Sequence, residues 1–418
     1  MSGKIGCNDP EKRRQSWQEI TEGVGRRSGA VHEQANGPQS GVLYVPTKPC
    51  RVDETAVRSV GPIRSFAFPI RSPQTAHEIP CCSTMHRMIR RLLIGLGALL
   101  VLTALTYLAG PVHALDTRDT PIDLPRESDA LERWLEESEQ RYGDVVEGTE
   151  KHIRWAHEDR RRTPLSIIYL HGYTATRQEV DPLCDELGEA LGANVFYTRL
   201  TGHGRNPLAM GEVRGSDWLR DAREALEIGR LIGERVIVVG TSTGGTLALW
   251  LAQREDASTI AAQILISPNL GPRSQSGELL AGPWGAQLLQ GLVGDEYRWK
   301  PHNAEQAKYW TWKYPSQALL PMMAIVREVR ESPIENIRQP TLVIYSPNDR
   351  VVSAEKIVDA HARLGASVKP IIAVDTSGDP SNHVLAGRVL APNDTPRVRD
   401  WILAFTSEIG LSPATGTP

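Results

Sequence analysis

The stretch that decides the fold runs Arg235-Val-Ile-Val-Val-Gly240-Thr241-Ser242-Thr243-Gly244-Gly245-Thr-Leu-Ala-Leu-Trp-Leu-Ala252. Its β-branched first part predicts a buried strand, and its last part predicts a helix. Between them lies a G-x-S-x-G motif at a strand-to-helix turn. A turn of this kind holds the serine in a strained backbone conformation with its hydroxyl exposed, and it needs glycines where strand and helix nearly touch. We therefore take Ser242 as a candidate nucleophile.

Short apolar runs on either side of this stretch predict further buried strands. Together with the strand of the opening stretch, the predicted strands lie at residues 166–170, 194–200, 235–240, 261–266, 341–345 and 368–374. Helical patterns separate them: Ser216 is expected to cap one helix, and Thr395-Pro396 to open the last. Strands that alternate with helices predict an α/β fold, with a mostly parallel sheet covered by helices on both faces.

The alternation is interrupted once, which divides the chain into a core and an insertion. We assign residues 151–270 and 339–410 to the core and 115–150 to a helical lead-in. Residues 271–338 hold seven Trp and Tyr residues and are predicted to form helices and loops. This insertion leaves the sheet on the side where ligands bind in such folds. We expect it to form a cap that excludes water from an apolar pocket.

A serine hydroxyl needs a base, and the two partners are expected after late strands in the order acid, then histidine. Asp349 follows the strand at 341–345, and His383 follows the strand at 368–374. These two are the candidate acid and base. Asp375 and Asp379 also lie near the histidine and stay open as alternative acids, whereas His361 falls on the apolar stripe of a helix.

Two backbone N–H groups are expected to stabilise an oxyanion. One belongs to Thr243, the residue after the nucleophile. The other is expected from the loop after an early strand, where His171-Gly172-Tyr173 follows the strand at 166–170. Gly172 permits a sharp turn that lets the N–H of Tyr173 face the serine. For His203, in the loop after the second core strand, we favour a structural role over a place on the rim of the site.

With these residues assembled, positions 150–408 resemble the α/β-hydrolase superfamily, particularly its monoglyceride-lipase, lysophospholipase and serine-aminopeptidase-like branch. Arg199-Leu-Thr-Gly-His-Gly204 and Asp217-Trp218 are similar to recurring segments of that branch. The resemblance implies hydrolysis through an acyl-enzyme on Ser242, without a metal or organic cofactor. One departure is the long polar stretch 375–382 before His383, which suggests a local insertion.

The substrate expected from this resemblance is a carboxylic ester of apolar or lipid type. A peptidase is the alternative, in which cap carboxylates such as Glu278, Asp295 and Glu296 would bind a free amino terminus. A catalytically inactive membrane protein is a third hypothesis, although no triad member is missing. A nucleotide-binding protein is disfavoured because neither G-x-G-x-x-G nor a P-loop lysine occurs. The net charge of −3 gives no indication of a nucleic-acid partner.

The region before the core carries an export or anchoring signal. A basic stretch from Met85 leads into the apolar run 92–109, which is typical of a signal peptide or membrane anchor at 85–114. Cleavage before Leu115 is possible in the first case. In either case we expect the catalytic part outside the cytoplasm, on the periplasmic side. Residues 1–84 are expected to be disordered or an extension upstream of a true start at Met85 or Met88, with a cytoplasmic tail as the alternative.

Four of the five cysteines lie in the first 82 residues. Only Cys184 belongs to the core, so the core has no partner for an internal disulfide. This cysteine falls on the apolar stripe of a predicted helix, and we expect it to be buried packing.

Overall fold

The computed structural model describes residues 82–411. They fall into two compact units, 82–104 and 105–411. The expectation for residues 1–84 falls almost entirely outside the described residues.

The first described helix, α1 (Cys82–Leu108), contains the predicted apolar run. Its segment Met85–Leu108 has 24 residues and a mean hydropathy of 1.9, and its side chains are exposed. An α-helix rises about 1.5 Å per residue, so this segment is long enough to cross the hydrocarbon core of a bilayer. Among the described helices it alone has the length and composition of a membrane span.

From residue 105 onward, strands and helices alternate around one central sheet. Its strands are β1 (His152–Arg154), β2 (Thr163–Leu170), β3 (Asn194–Tyr197), β4 (Gly233–Thr241), β5 (Ile260–Ile266), β8 (Thr341–Tyr345) and β9 (Ile371–Ala373). They are ordered β1-β3-β2-β4-β5-β8-β9. Every neighbouring pair is parallel except β1 with β3. The α/β prediction is confirmed.

Helices before, between and after these strands cover the sheet. They are α2 (Ser128–Gln140), α3 (Leu183–Leu191), α4 (Gly215–Ile232), α5 (Thr243–Ala252), α10 (Ala354–Arg363) and α11 (Thr395–Glu408). The stretch between β5 and β8 adds α6 (Gln275–Glu278), α7 (Gly285–Leu292), β6 (Glu296–Arg298), α8 (Ala304–Tyr309), β7 (Lys313–Pro315) and α9 (Leu319–Glu331). We call residues 271–338 the cap.

Two apolar cores lie on opposite faces of the sheet, because successive strand side chains point to opposite sides. In the central strands, Ile168 and Val238 belong to the core that contains Trp218. Ile167 and Ile237 belong to the other core, which contains α3 and α11 residues. Full burial of one such side chain is worth about 1.5–3 kcal/mol. A strand with both faces buried therefore reads as a continuous apolar run, which is why β4 was recognisable from sequence.

The helical lead-in expected at 115–150 contains the helix α2, over Ser128–Gln140. Two predictions of local structure were wrong. The cap is not only helices and loops, since β6 and β7 pair as a two-stranded antiparallel sheet. Ser216 is not a helix cap, because α4 already begins at Gly215. The N-terminus of α4 is stabilised instead by Asp217, whose carboxylate accepts a hydrogen bond from the N–H of Arg214 at 2.8 Å.

Candidate active site

Ser242 lies at the carboxyl end of β4, in the turn into α5. Its φ is +53° and its ψ −119°, a strained conformation for a residue with a side chain. Besides bonds within its own turn, two bonds to the neighbouring strand and loop hold it: its N–H donates to the Ile266 carbonyl and its carbonyl accepts the N–H of Asn269, each at 2.9 Å. A Cβ on Gly244 would overlap the carbonyl of Leu170, so only glycine fits there. The strained turn predicted around Ser242 is therefore present.

Asp349 and His383 meet in the loops after β8 and β9. The Asp349 carboxylate lies 2.7 Å from Nδ1 of His383, and both residues are buried. Its other oxygen accepts the N–H groups of Val351 at 2.7 Å and Val352 at 3.0 Å. Burial by itself would lower the pKa of His383, but the Asp349 carboxylate outweighs it and raises that pKa above its ordinary value. The pair thus has the geometry of a base and the acid that orients it.

The two alternative acids have other contacts. Asp379 accepts the N–H groups of Ser381 at 3.1 Å, His383 at 3.0 Å and Val384 at 2.9 Å, as well as the hydroxyl of Ser381. Burial would raise the pKa of Asp379, but these hydrogen bonds lower it. Asp375 contacts this region through its backbone carbonyl, which accepts a hydrogen bond from the side-chain amide of Asn348 at 3.0 Å. The polar stretch before the histidine therefore holds its backbone in place, and Asp379 acts on the main chain of that residue.

The loop after β2 is fixed around the carbonyl of Gly172. That oxygen accepts the N–H of Ala175 at 3.1 Å and faces Nδ1 of His171 at 2.9 Å. Nε2 of His171 accepts the N–H of Leu200 at 3.0 Å, so the proton of the ring sits on Nδ1. Burial lowers the pKa of His171 to about 4, which keeps the ring neutral.

The N–H of Tyr173 belongs to the same peptide group as this carbonyl and points the opposite way. Among the described residues it has no hydrogen-bond acceptor. A Cβ on Gly172 would lie 3.2 Å from Cβ of Ser242, so this loop passes directly beside the serine. The N–H of Thr243 is one of the first in α5, where N–H groups have no carbonyl partner within the helix. The two predicted oxyanion donors thus belong to the two backbone segments next to one serine, the loop of Gly172 and the first turn of α5.

The cap contacts this loop directly. The ring of Tyr314 packs edge-on against Tyr173 with centroids 5.6 Å apart, and the N–H of Thr311 donates to the Thr174 carbonyl at 2.8 Å. The aromatic residues of the cap are not equivalent, however. Tyr314 is buried, whereas Trp312 is exposed. Part of the aromatic insertion therefore packs against the loop of Tyr173, and part of it is exposed to solvent.

Two of the cap carboxylates considered for amine recognition already have cationic partners. Glu278 pairs with Arg330 at 2.7 Å and with Lys356. Glu296 pairs with Lys313 at 3.0 Å and with Arg298. Asp295 accepts the side-chain amide of Gln290 at 2.8 Å. Within residues 82–411, no cluster of His, Cys, Asp and Glu has the grouping of a metal site.

Known proteins share this fold. The model of the family described as "Serine aminopeptidase, S33" matches residues 162–376, which is just over half of the chain. The chain belongs to this family. It is a hydrolase with the α/β-hydrolase fold, and the resemblance inferred from its motifs is confirmed.

The similarity to individual proteins is more distant. The hydrolase is 25% identical over 189 residues to a thermostable monoacylglycerol lipase of Bacillus sp. (strain H-257), covering 45% of this chain and 72% of that one. Among solved structures it is similar to the metagenome-derived lipolytic enzymes LipS and LipT, with a TM-score of 0.50, 22% identity and coverage of 63% and 99%. It is also similar to a soluble variant of monoglyceride lipase from Saccharomyces cerevisiae, with a TM-score of 0.50 and 12% identity. That match covers 63% of this chain and 92% of the other. At these identities the solved structures support the fold alone.

Two residues of the site had not been singled out from the hydrolase sequence. Asn269 follows β5, bonds Ser242 through its backbone, and places its amide 3.3 Å from the Thr243 hydroxyl and 3.2 Å from Sδ of Met322. Glu179 lies behind Gly172 and accepts its N–H at 2.8 Å. Asn269 follows a recognised strand, so its position at the ligand-binding edge was a usable signal. No comparable pattern pointed to Glu179.

The remaining assignments of single residues agree with the structure. His203 is fully buried, lies 5.0 Å from the ring of His171 and packs against Trp218, which fits a structural role. His361 lies on α10, and its ring contacts the backbone carbonyl of Lys369. Cys184 is buried in α3, and burial raises the pKa of its thiol well above the ordinary value.

Proposed function

We propose that this hydrolase cleaves carboxylic esters through an acyl-enzyme on Ser242. His383 removes the proton of the serine hydroxyl as it attacks the acyl carbonyl, and Asp349 orients the imidazole and stabilises its protonated form. The N–H groups of Tyr173 and Thr243 bind the oxyanion. The protonated histidine then gives its proton to the ester's alcohol, which leaves as the acyl-enzyme forms. Water, activated by the same histidine, attacks the acyl-enzyme, and the acid is released as Ser242 regains its proton. The observation that carries this proposal is the 2.7 Å contact of His383 with Asp349 at the sheet edge where Ser242 is held in its strained turn.

The substrate class we propose is an ester with an apolar acyl group, as in a carboxylesterase, a lysophospholipase or a monoacylglycerol lipase. Tyr173, in the loop beside the serine, packs against Tyr314 of the cap, and aromatic surface next to the site favours an apolar chain. The named activity of the Bacillus relative points the same way. A peptidase is the second candidate because of the family description. It is disfavoured because Glu278 and Glu296 are occupied by cations of the chain itself.

We also propose that α1 inserts in a membrane, either as an anchor or as an export signal, with the hydrolase outside the cytoplasm on the periplasmic side. The length and mean hydropathy of Met85–Leu108 support this. Fractionation of cells that express the chain from Met85, with protease added to intact spheroplasts, tests it. Recovery of the protein in the cytosol, protected from protease, would contradict it.

A fluorophosphonate probe tests the chemistry most directly, because it labels an activated serine covalently. We expect labelling of Ser242, followed by turnover of short p-nitrophenyl esters and monoglycerides in preference to aminoacyl amides. Faster cleavage of the amides would favour the peptidase. An unlabelled, inactive protein would favour a binding role instead.

A further inference from the structure

Glu179 is a buried carboxylate at the site that the proposed reaction does not use. It ends a short helical turn, Arg177–Glu179, seven residues after Gly172. Only 2% of its surface is exposed, and no Lys or Arg among the described residues pairs with it. An ionised carboxylate without a cation is costly to bury. Its presence here therefore needs a reason beyond filling space.

Its contacts connect three parts of the site. One carboxylate oxygen accepts the N–H of Gly172 and the hydroxyl of Tyr169, both at 2.8 Å. The same hydroxyl of Tyr169 lies 3.2 Å from the hydroxyl of Thr241, the residue before the nucleophile. Glu179 thus ties the loop of the oxyanion donor to the strand that carries Ser242.

The carboxylate is also close to the reacting groups. The position that a Cβ on Gly172 would take lies 2.8 Å from one oxygen of Glu179 and 3.2 Å from Cβ of Ser242. The acid and the serine therefore flank the same glycine. The charge of Glu179 also reaches His383, where it adds to the effect of Asp349.

We propose that Glu179 is a positioning residue, whose ionised carboxylate holds the Gly172 peptide so that the N–H of Tyr173 stays directed at the acyl oxygen. The carbonyl of Gly172 is held by Ala175 and His171. The N–H of Gly172 is therefore the group that the Glu179 carboxylate fixes. The proposal rests on the proposed function, since it presumes that Tyr173 donates to the oxyanion. An amide could accept these bonds only more weakly, because it carries no charge. A glutamine at this position should therefore fill the same space but hold the Gly172 peptide less firmly.

The test compares Glu179→Gln, Tyr169→Phe and Ser242→Ala with the wild type in kcat, KM and the pH dependence of kcat/KM on a p-nitrophenyl ester. Removing one oxyanion donor outright costs about 10²–10³ in kcat, so loosening it in E179Q is expected to cost about 10–100-fold. KM should change little, because the ester is held by the apolar pocket. Y169F keeps the acid but removes one bond to it, and a loss of only a few-fold is expected.

The pH profile provides the readout that a purely structural role would not move. Besides Glu179, the charged groups that act on His383 are Asp349 and Asp379, and both remain in E179Q. Removing one negative charge lowers the pKa of the histidine, so the acidic limb of kcat/KM should move to lower pH in E179Q. In Y169F the charge stays, although Glu179 loses a hydrogen bond that lowers its pKa, so the limb should move less than in E179Q. Burial raises the pKa of Glu179. The acidic limb of the wild type therefore reports the coupled titration of Glu179 and His383 rather than the titration of one residue.

Glu224→Gln is the matched control, because Glu224 is equally buried but pairs with Lys151 away from the serine. It should keep the kcat and the acidic limb of the wild type. Wild-type kcat with an unmoved limb in E179Q would overturn the inference, while an inactive S242A would leave the proposed function intact. An active S242A would remove both. If E179Q does not fold, Y169F decides, and wild-type kcat in that variant contradicts the proposal.

Discussion

The loops of the candidate site and the cap are held in different ways. By the site loops we mean residues 171–179, 241–243, 345–353 and 374–384. Two of their carboxylates are buried and bond backbone groups: Asp379 accepts three N–H groups, and Asp349 accepts two. Such contacts leave a side chain almost no freedom, because the backbone itself is fixed by the sheet.

The cap has fewer restraints of this kind. Apart from α9, its secondary-structure elements are short. Its ion pairs, such as Glu278 with Arg330, lie partly in water, where pairs contribute little. At the end of α7 the side chain of Leu292 is 69% exposed. The contrast suggests a division of labour, in which the site loops fix the chemistry and the cap can vary to choose the substrate. The four predictions below test this division.

The largest effect is expected from Ser242→Ala. Removal of a nucleophile of this kind costs about 10⁴-fold or more in kcat. Hydrolysis of every ester should fall together, from p-nitrophenyl acetate to long-chain monoglycerides, because the serine acts on all of them. Circular dichroism and the melting temperature should match the wild type. Full activity in S242A would mean that another residue is the nucleophile.

Asp349→Asn should cost about 10³–10⁴-fold in kcat, because an amide cannot stabilise the protonated histidine and favours the wrong tautomer. Asp375→Asn is the matched control and should be nearly neutral, since Asp375 contacts the site through its backbone carbonyl. Steady-state kinetics on one ester measure both. The reverse order of effects would transfer the role of the acid to Asp375.

Asp379→Asn should lower the free energy of unfolding by about 1.5–3 kcal/mol near neutral pH, the scale of a hydrogen bond to a charged group. The pKa of Asp379 is depressed in the folded chain. Its stabilisation is therefore present above the unfolded pKa and is lost as pH falls through the lower, folded value. Urea unfolding of both proteins at a series of acidic pH values should show the gap closing. A gap that stays constant with pH would contradict the role of the charge.

The smallest effect on catalysis is expected in the cap. Tyr314→Ala removes the ring that packs against Tyr173 and opens the wall of the pocket. A pocket change of this size alters discrimination by about 1–3 kcal/mol. Acetate esters should lose little kcat, whereas the preference among longer acyl chains should shift. An equal loss on every chain length would show that the cap supports the chemistry as well as the choice of substrate.

Most of the sheet and the triad candidates were readable from sequence, because both depend on local pattern. β4 and α5 are long, apolar and joined by glycines, and Asp349 and His383 follow recognised strands. What escaped prediction depends on contacts distant in sequence or on very short elements. Strand β1 has three residues, too few for a period, and pairs with β3 some forty residues later.

The role of Asp379 shows the same limit within the site. Its nearness to the histidine was evident, but which of its neighbours it bonds depends on how the loop folds back. The position of Glu179 depends on a turn that brings it behind Gly172, and no periodicity records such a turn.

The segment after α1 is part of the hydrolase unit. The N–H of Trp284 donates to the Pro111 carbonyl at 2.8 Å, and Arg327 donates to the His113 carbonyl at 3.0 Å. A peptidase that cut before Leu115 would take both acceptors away from the cap. Cleavage at this position would therefore change the order of the cap. We expect the cap to be more mobile in a cleaved chain than in a chain that keeps these two acceptors.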